Sequence, residues 1–361
     1  VALVAGYKVN LKKLRKWVQP VMIVAIVLLV LVLFAGKDVL GARRTLVFGP
    51  ISFQPSEFAK IALILYLADA LARRKEKVQD LKSLAMVLVV FGITVFLIQK
   101  EDLGTAMAIC GAVVGILFMA GANFWHLVSM ATIGIFGGLI MAFHKPYRLQ
   151  RLITYLDPKA DTSGAGYQIV QSFIALGSGG LYGLGLGASR QKFFYLPEKF
   201  TDFIFAIIGE ELGIIFGTLP VALMFLFLLY KGLRVAARTR DPFMSLLAGG
   251  ITFQVVLQAF INMGVVTGLL PCTGIALPFI SFGGSSLVFT LLGVGLLLNV
   301  AGEPKYGTRH GIERKPRNKP RPRFGDSCEI PQTAKALKKK EEEKCESSLP
   351  AVELGATYTP Q

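Results

Sequence analysis

Residues 18–36 read Val18-Gln-Pro-Val-Met-Ile-Val-Ala-Ile-Val-Leu-Leu-Val-Leu-Val-Leu-Phe-Ala-Gly36, a run without a single charged side chain. As a helix rising about 1.5 Å per residue, such a run reaches across a hydrocarbon core of roughly 30 Å. A water-soluble helix of this length needs a polar face, and this one has none. The rest of the chain agrees: hydrophobic residues make up 53% of it and charged residues only 17%, against about a quarter charged in soluble domains. Seven more apolar runs follow at approximately 57–72, 83–99, 104–122, 125–143, 203–230, 243–268 and 276–301. The expected fold is therefore all-α, a multi-pass transmembrane helix bundle of about eight spanning helices. Several runs are short or interrupted, as happens where helices line a polar cavity.

The short basic loops set an orientation. Lys8–Lys16, Arg73–Lys82 and Lys231–Arg240 are rich in Lys and Arg, which places them in the cytoplasm by the positive-inside tendency. Alternate crossings then put 37–55, 100–103, the long stretch 144–202 and 269–274 on the outer face. The 144–202 loop carries Lys145, Arg148, Arg151, Lys159, Arg190, Lys192 and Lys199 against Asp157, Asp161, Glu198 and Asp202. A cationic surface held outside asks for an anionic ligand there, with lipid headgroups as the competing explanation. The chain opens on an apolar stub, Val1–Gly6, ahead of its first basic cluster; we read the stub as the end of an earlier spanning helix, hence a truncation. Residues 1–302 form the expected membrane domain, and 303–361 a disordered, basic cytoplasmic tail with the run Lys338-Lys339-Lys340 followed by three glutamates.

Other functional classes find little support. The net charge of +16 sits largely beside apolar runs, so membrane orientation explains it better than nucleic-acid binding. Four cysteines and three histidines are scattered without metal-ligand spacing. The glycines from Gly177 to Gly187 include a GLGLG string, but a dinucleotide site needs a preceding strand, a following helix and a later acidic residue. Close backbone packing or a re-entrant turn accounts for them better.

Charged groups inside apolar runs are expensive, at least about 2.5 kcal/mol each near a bilayer centre, and are functional candidates by default. Glu57 and Lys60 share a helix face three residues apart, so mutual neutralisation and a role in a cavity are both open. Glu210 and Glu211 are adjacent, so at least one is expected to face the bundle. Asp202 opens a long apolar run beside the cationic loop. Capping of the helix start by Thr201 or Asp202 is one reading; a carboxylate placed to take a proton from a substrate hydroxyl is the other.

Read together, the polar stretches resemble one family. Gly41-Ala-Arg-Arg44 with Phe53-Gln-Pro-Ser-Glu-Phe-Ala-Lys60, Asp102-Leu-Gly-Thr105, Gly185–Glu198 continuing into Thr201-Asp-Phe-Ile-Phe-Ala206, Gly268–Gly274, and Leu277-Pro-Phe-Ile-Ser-Phe-Gly-Gly-Ser-Ser286 are similar to motifs of the shape, elongation, division and sporulation (SEDS) family. Ser189-Arg-Gln-Lys192 favours its division or sporulation branch over the elongation branch. Lys100-Glu101, Phe200 and Phe282 depart from the usual pattern. The family has ten spanning helices, which implies that the first and most of the second are absent from this chain.

The resemblance implies a bacterial plasma-membrane enzyme, at the division septum, that polymerises lipid-linked peptidoglycan precursor. Asp202 matches the family's essential aspartate and is the expected proton acceptor. Arg148, Arg151, Arg190 and Lys192 are expected to meet the substrate pyrophosphate, with Arg44, Glu57 and Lys60 in the cavity and Glu198 in the same motif as Arg190. A divalent cation, Mg or Mn, is also implied, but no motif identifies its ligands. Expected partners are a class B penicillin-binding protein and other divisome membrane proteins. The rival readings are a flippase for the same lipid precursor and a non-catalytic divisome scaffold.

Overall fold

The computed structural model describes residues 1–39, 42–48, 51–74, 78–79, 81–143, 151, 153–157, 164–191 and 201–303. Along the chain run α1 (Ala2–Lys8), α2 (Leu11–Lys16), α3 (Val18–Ala35), three strands β1 (Lys37–Val39), β2 (Ala42–Phe48) and β3 (Ile51–Phe53), then α4 (Pro55–Arg73), α5 (Leu81–Glu101), α6 (Leu103–Met119) and α7 (Phe124–Phe143). They are followed by α8 (Ala165–Gly179), α9 (Ile204–Gly213), a π-helical turn (Ile214–Thr218), α10 (Leu219–Arg238), α11 (Pro242–Val266) and α12 (Gly284–Gly302). Four segments, α3, residues 204–238 (α9, the π-helical turn and α10), α11 and α12, have the length and apolar composition to cross a membrane. Helices α5, α6 and α7 supply shorter apolar stretches. The architecture is a multi-pass helical membrane bundle.

Helix α11 is its axis. In α11, 72% of the apolar window is buried, against 17–33% in the other three long helices. It packs against α4, α6, α10 and α12. Of these, α6, α10 and α12 keep one flank on α11 and turn the other outward, leaving Phe118, Phe227 and Val288 exposed. In a bilayer the solvent is itself apolar, so these side chains carry no desolvation debt there.

The bundle has two distinct polar ends. At one, Asp69 accepts from Arg15 Nε at 2.7 Å and from Arg73 Nε at 2.9 Å, and the Arg15 guanidinium lies 5.2 Å from the Phe243 ring centroid. These groups border the loops expected in the cytoplasm. The other end gathers the segments expected outside: Ser285 donates to Ser52 O at 2.7 Å, Gly104 lies tight against Thr273 and Ile275, and Arg151 Nη1 donates to Cys272 O at 3.0 Å.

Four boundaries differ from the sequence reading. The stretch expected as the first outer loop is an antiparallel meander in the order β1-β2-β3, where the β-branched and aromatic residues Thr45, Val47, Phe48, Ile51 and Phe53 suit strands. The 144–202 stretch is no simple loop, since it contains α8. The 203–230 run is divided where Gly213 adopts φ of 73°, a conformation glycine reaches without strain. The last span starts at Gly284 and not Ala276, since Pro278 offers no amide for a helical bond and Gly283 is extended. Of the expected tail, 303–361, all but Glu303 lies outside the described residues.

Candidate functional site

The helix that follows Asp202 begins at Ile204, with Phe203 in the N-cap position and no side-chain cap there. The N-cap position therefore belongs to neither Thr201 nor Asp202. What fixes this segment comes from elsewhere in the chain. Asn262 Nδ2, near the end of α11, donates to Asp202 O at 2.7 Å and to Ile275 O at 2.7 Å. The Ser281 hydroxyl donates to Thr201 O and accepts from Leu277 N at 2.7 Å. Two successive carbonyls are thus gripped by side chains of α11 and of the loop between α11 and α12.

That loop is itself under constraint. Phe279 has φ of 68°, a region that costs a non-glycine residue about 1–3 kcal/mol. Its ring stacks on Phe225 of α10, centroids 6.3 Å apart, so packing holds the turn that carries Ser281. The same loop receives Arg151 at Cys272 O and the Tyr155 hydroxyl at Leu269 O, 3.2 Å. Burial pushes the Cys272 thiol up; the nearby Arg151 charge pulls it down and Asp202 pushes it up again. Asp202 and Arg151 therefore act on one loop from opposite electrostatic sides.

Deeper in the bundle, Lys60 Nζ donates to Glu57 Oε1 and to Gln258 Oε1, both at 2.8 Å. Glu57 and Lys60 are each only 5% exposed, and they pair, as the neutralisation reading expects. They also line a cavity of about 30 Å³, room for a water or two and far too small for a sugar. Gln254 lines it too, and its side-chain amide has no hydrogen-bond partner among the described residues. Gln258 Nε2 in turn donates to Ala276 O at 3.1 Å. Gln254, Gln258 and Asn262 recur every four residues and so form a polar stripe on one face of α11. The sequence reading missed this stripe, although its spacing within an apolar run was a readable signal.

The third cluster involves Glu210, 1% exposed. Its carboxylate accepts from the Ser189 hydroxyl at 2.5 Å and from Arg190 N at 3.1 Å. It thus holds the backbone of the cationic motif against α9. The glycine run works as close packing: a Cβ on Gly179 would fall 2.0 Å from Gly209 O.

Of the expected site residues, Asp202 and Arg151 come together at the α11–α12 loop. Arg190 is anchored through its backbone to Glu210, and Glu57 pairs with Lys60. Arg44 falls on β2 with its side chain outside the described residues, and Arg148, Lys192 and Glu198 lie outside them altogether. No three His, Cys, Asp or Glu side chains converge among the described residues. A Mg ion keeps several waters and commonly uses one or two carboxylates beside substrate phosphates, so such a site needs no three-residue cluster.

Comparison with known proteins agrees along nearly the whole membrane domain. Residues 1–306 match the model of the FtsW, RodA and SpoVE family, described as cell cycle protein. The stage V sporulation protein E of Bacillus subtilis is 44% identical over 296 residues, covering 81% of each chain. A probable peptidoglycan glycosyltransferase FtsW of Geobacter metallireducens is 42% identical over 308 residues, 84% of this chain and 82% of that one. Among solved structures, a chain from a peptidoglycan synthase complex, described as coordinating polymerization and crosslinking, aligns with a TM-score of 0.69 at 28% identity over 83% of this chain and 84% of that one. The rod shape determining protein RodA of Thermus thermophilus aligns at 0.62 and 27% identity, covering 83% and 82%.

Proposed function

The chain belongs to the FtsW, RodA and SpoVE family of cell cycle proteins, and on that premise we propose that it is a peptidoglycan glycosyltransferase of cell division. The 4-hydroxyl of one lipid-linked disaccharide-pentapeptide attacks the anomeric carbon of the growing glycan. A new glycosidic bond forms, the bond to undecaprenyl pyrophosphate breaks, and the pyrophosphate leaves with the electron pair. Asp202 takes the hydroxyl proton, help usually worth about two to four powers of ten in rate. Arg151, placed beside the same loop, supplies positive charge where the leaving group becomes more negative; Arg148, Arg190 and Lys192 complete that cationic surface in the proposal.

One observation carries this reading. The matched aspartate stands at the end of the bundle expected outside, on a backbone clamped from two other elements, beside the loop that also receives Arg151. The solved relative whose complex joins polymerization to crosslinking supports a crosslinking partner, which we take to be a class B penicillin-binding protein. A septal location, contacts with other divisome proteins and a Mg or Mn ion belong to the same proposal. The test is polymerisation of labelled lipid precursor in detergent, with the transpeptidase partner present and EDTA in a parallel sample. Wild-type protein makes glycan, and Asp202→Asn loses at least about a hundredfold. A wild type that makes none in detergent, yet moves the lipid across vesicle bilayers, overturns the reading in favour of a flippase. Failure at both tasks leaves the scaffold.

A further inference from the structure

Asp202 can serve as a base only if its main chain is held still, and no local capping bond from Phe203 holds it. We infer that Asn262 and Ser281 are positioning residues for Asp202, acting as two clamps on the carbonyls of residues 201 and 202. This rests on the activity proposed above and goes beyond it by assigning rate, not substrate affinity, to residues remote from the carboxylate in sequence.

The geometry separates the clamps from ordinary core contacts. Asn262 is 2% exposed and spends its amide on two carbonyls from different segments, Asp202 O and Ile275 O, each at 2.7 Å. One side chain therefore sets the spacing between the lead-in to α9 and the loop that also receives Arg151. Ser281 does the same with one hydroxyl, donating to Thr201 O while accepting from Leu277 N. Base and cation consequently share one strut, and a change in either clamp moves the carboxylate relative to the arginine. Both clamps grip backbone, so neither consumes the carboxylate itself. Misplacement of a catalytic group by about 1 Å is enough to cost on the order of a hundredfold in rate.

The experiment measures glycan polymerisation in detergent with the transpeptidase partner, varying the lipid substrate, for Asn262→Leu, Ser281→Ala and Ser281→Thr, with thermal unfolding of each recorded alongside. Asn262→Leu and Ser281→Ala are expected to lower kcat about tenfold or more while KM changes less than about threefold. Ser281→Thr, which keeps the hydroxyl, recovers most of the rate. Should Asn262→Leu fail to fold, the Ser281 pair decides. Wild-type kcat in the variants, or a rise in KM alone, overturns the inference while the proposed activity stands. A kcat loss that tracks the fraction unfolded, with no rescue by Thr, overturns it too. A wild type that makes no glycan removes the proposed activity and this inference with it.

Discussion

Asp102 and Asp202 both stand just ahead of helices at the same end of the bundle, and the fold uses them differently. Asp102 is spent locally: Oδ1 accepts from Gly104 N and Thr105 N at 3.0 and 3.2 Å, and Oδ2 from the Thr105 hydroxyl at 2.8 Å. All three bonds lie within three residues, and they satisfy amides that a helix start leaves open. Asp202 misses the N-cap by one position; its carbonyl is held by Asn262, 60 positions on, and the Thr201 carbonyl before it by Ser281, 80 positions on. The contrast teaches that a helix-initial aspartate is structural when its own turn consumes it, and a catalytic candidate when distant elements hold its backbone in place.

The contrast can be broken first at the membrane. A cysteine introduced as Leu269→Cys, at the end shared by both aspartates, should react with an impermeant thiol reagent in intact cells, and Arg240→Cys at the opposite end should not. The reverse pattern inverts the bundle and ends the catalytic reading of Asp202. The next effect is on chemistry. Asp202→Asn should abolish nearly all polymerisation, whereas Asp102→Asn keeps a good cap and should stay within about threefold of wild type. Equal losses in the two variants would make both aspartates structural.

The buried pair offers a test of stability. Lys60→Met leaves the Glu57 carboxylate buried without its ammonium partner, a change worth about 3–5 kcal/mol in comparable pairs. Thermal unfolding in detergent should show a large drop for Lys60→Met and substantial recovery in Glu57→Gln/Lys60→Met. A double variant as unstable as the single one would refute simple charge pairing. The smallest effect concerns Cys272 as the sole cysteine. Asp202→Asn removes a negative charge that raises its pKa, so alkylation near pH 8 should quicken by a few fold, and Arg151→Ala should slow it. No change in either variant would separate the loop from both groups.

Much of this was legible in order along the chain. The apolar runs gave the helices, because a long uncharged segment has no other stable backbone solution in lipid. Asp202, Glu57 and Lys60 stood out as charges within or beside those runs. The boundaries that slipped did so at Gly213 and Pro278, where one backbone conformation ends a run that hydropathy continues. The stripe Gln254, Gln258 and Asn262 went unread because amides carry no charge and look neutral in a hydropathy sum. The roles of Glu210 and Ser281 were beyond local reading, since each depends on a partner in another element.

The sequence alone determined that this chain enters a membrane many times, which loops are basic, and which motifs tie it to its family, because these depend on composition and on neighbours a few residues apart. Only the tertiary structure decided that α11 is the axis, that Lys60 pairs with Glu57 while also donating to Gln258, and that the Asp202 backbone is clamped from distant elements. The Lys60–Gln258 contact and the two clamps rest on hydrogen bonds between residues 60 to 198 positions apart, and local sequence does not encode which distant partner will arrive.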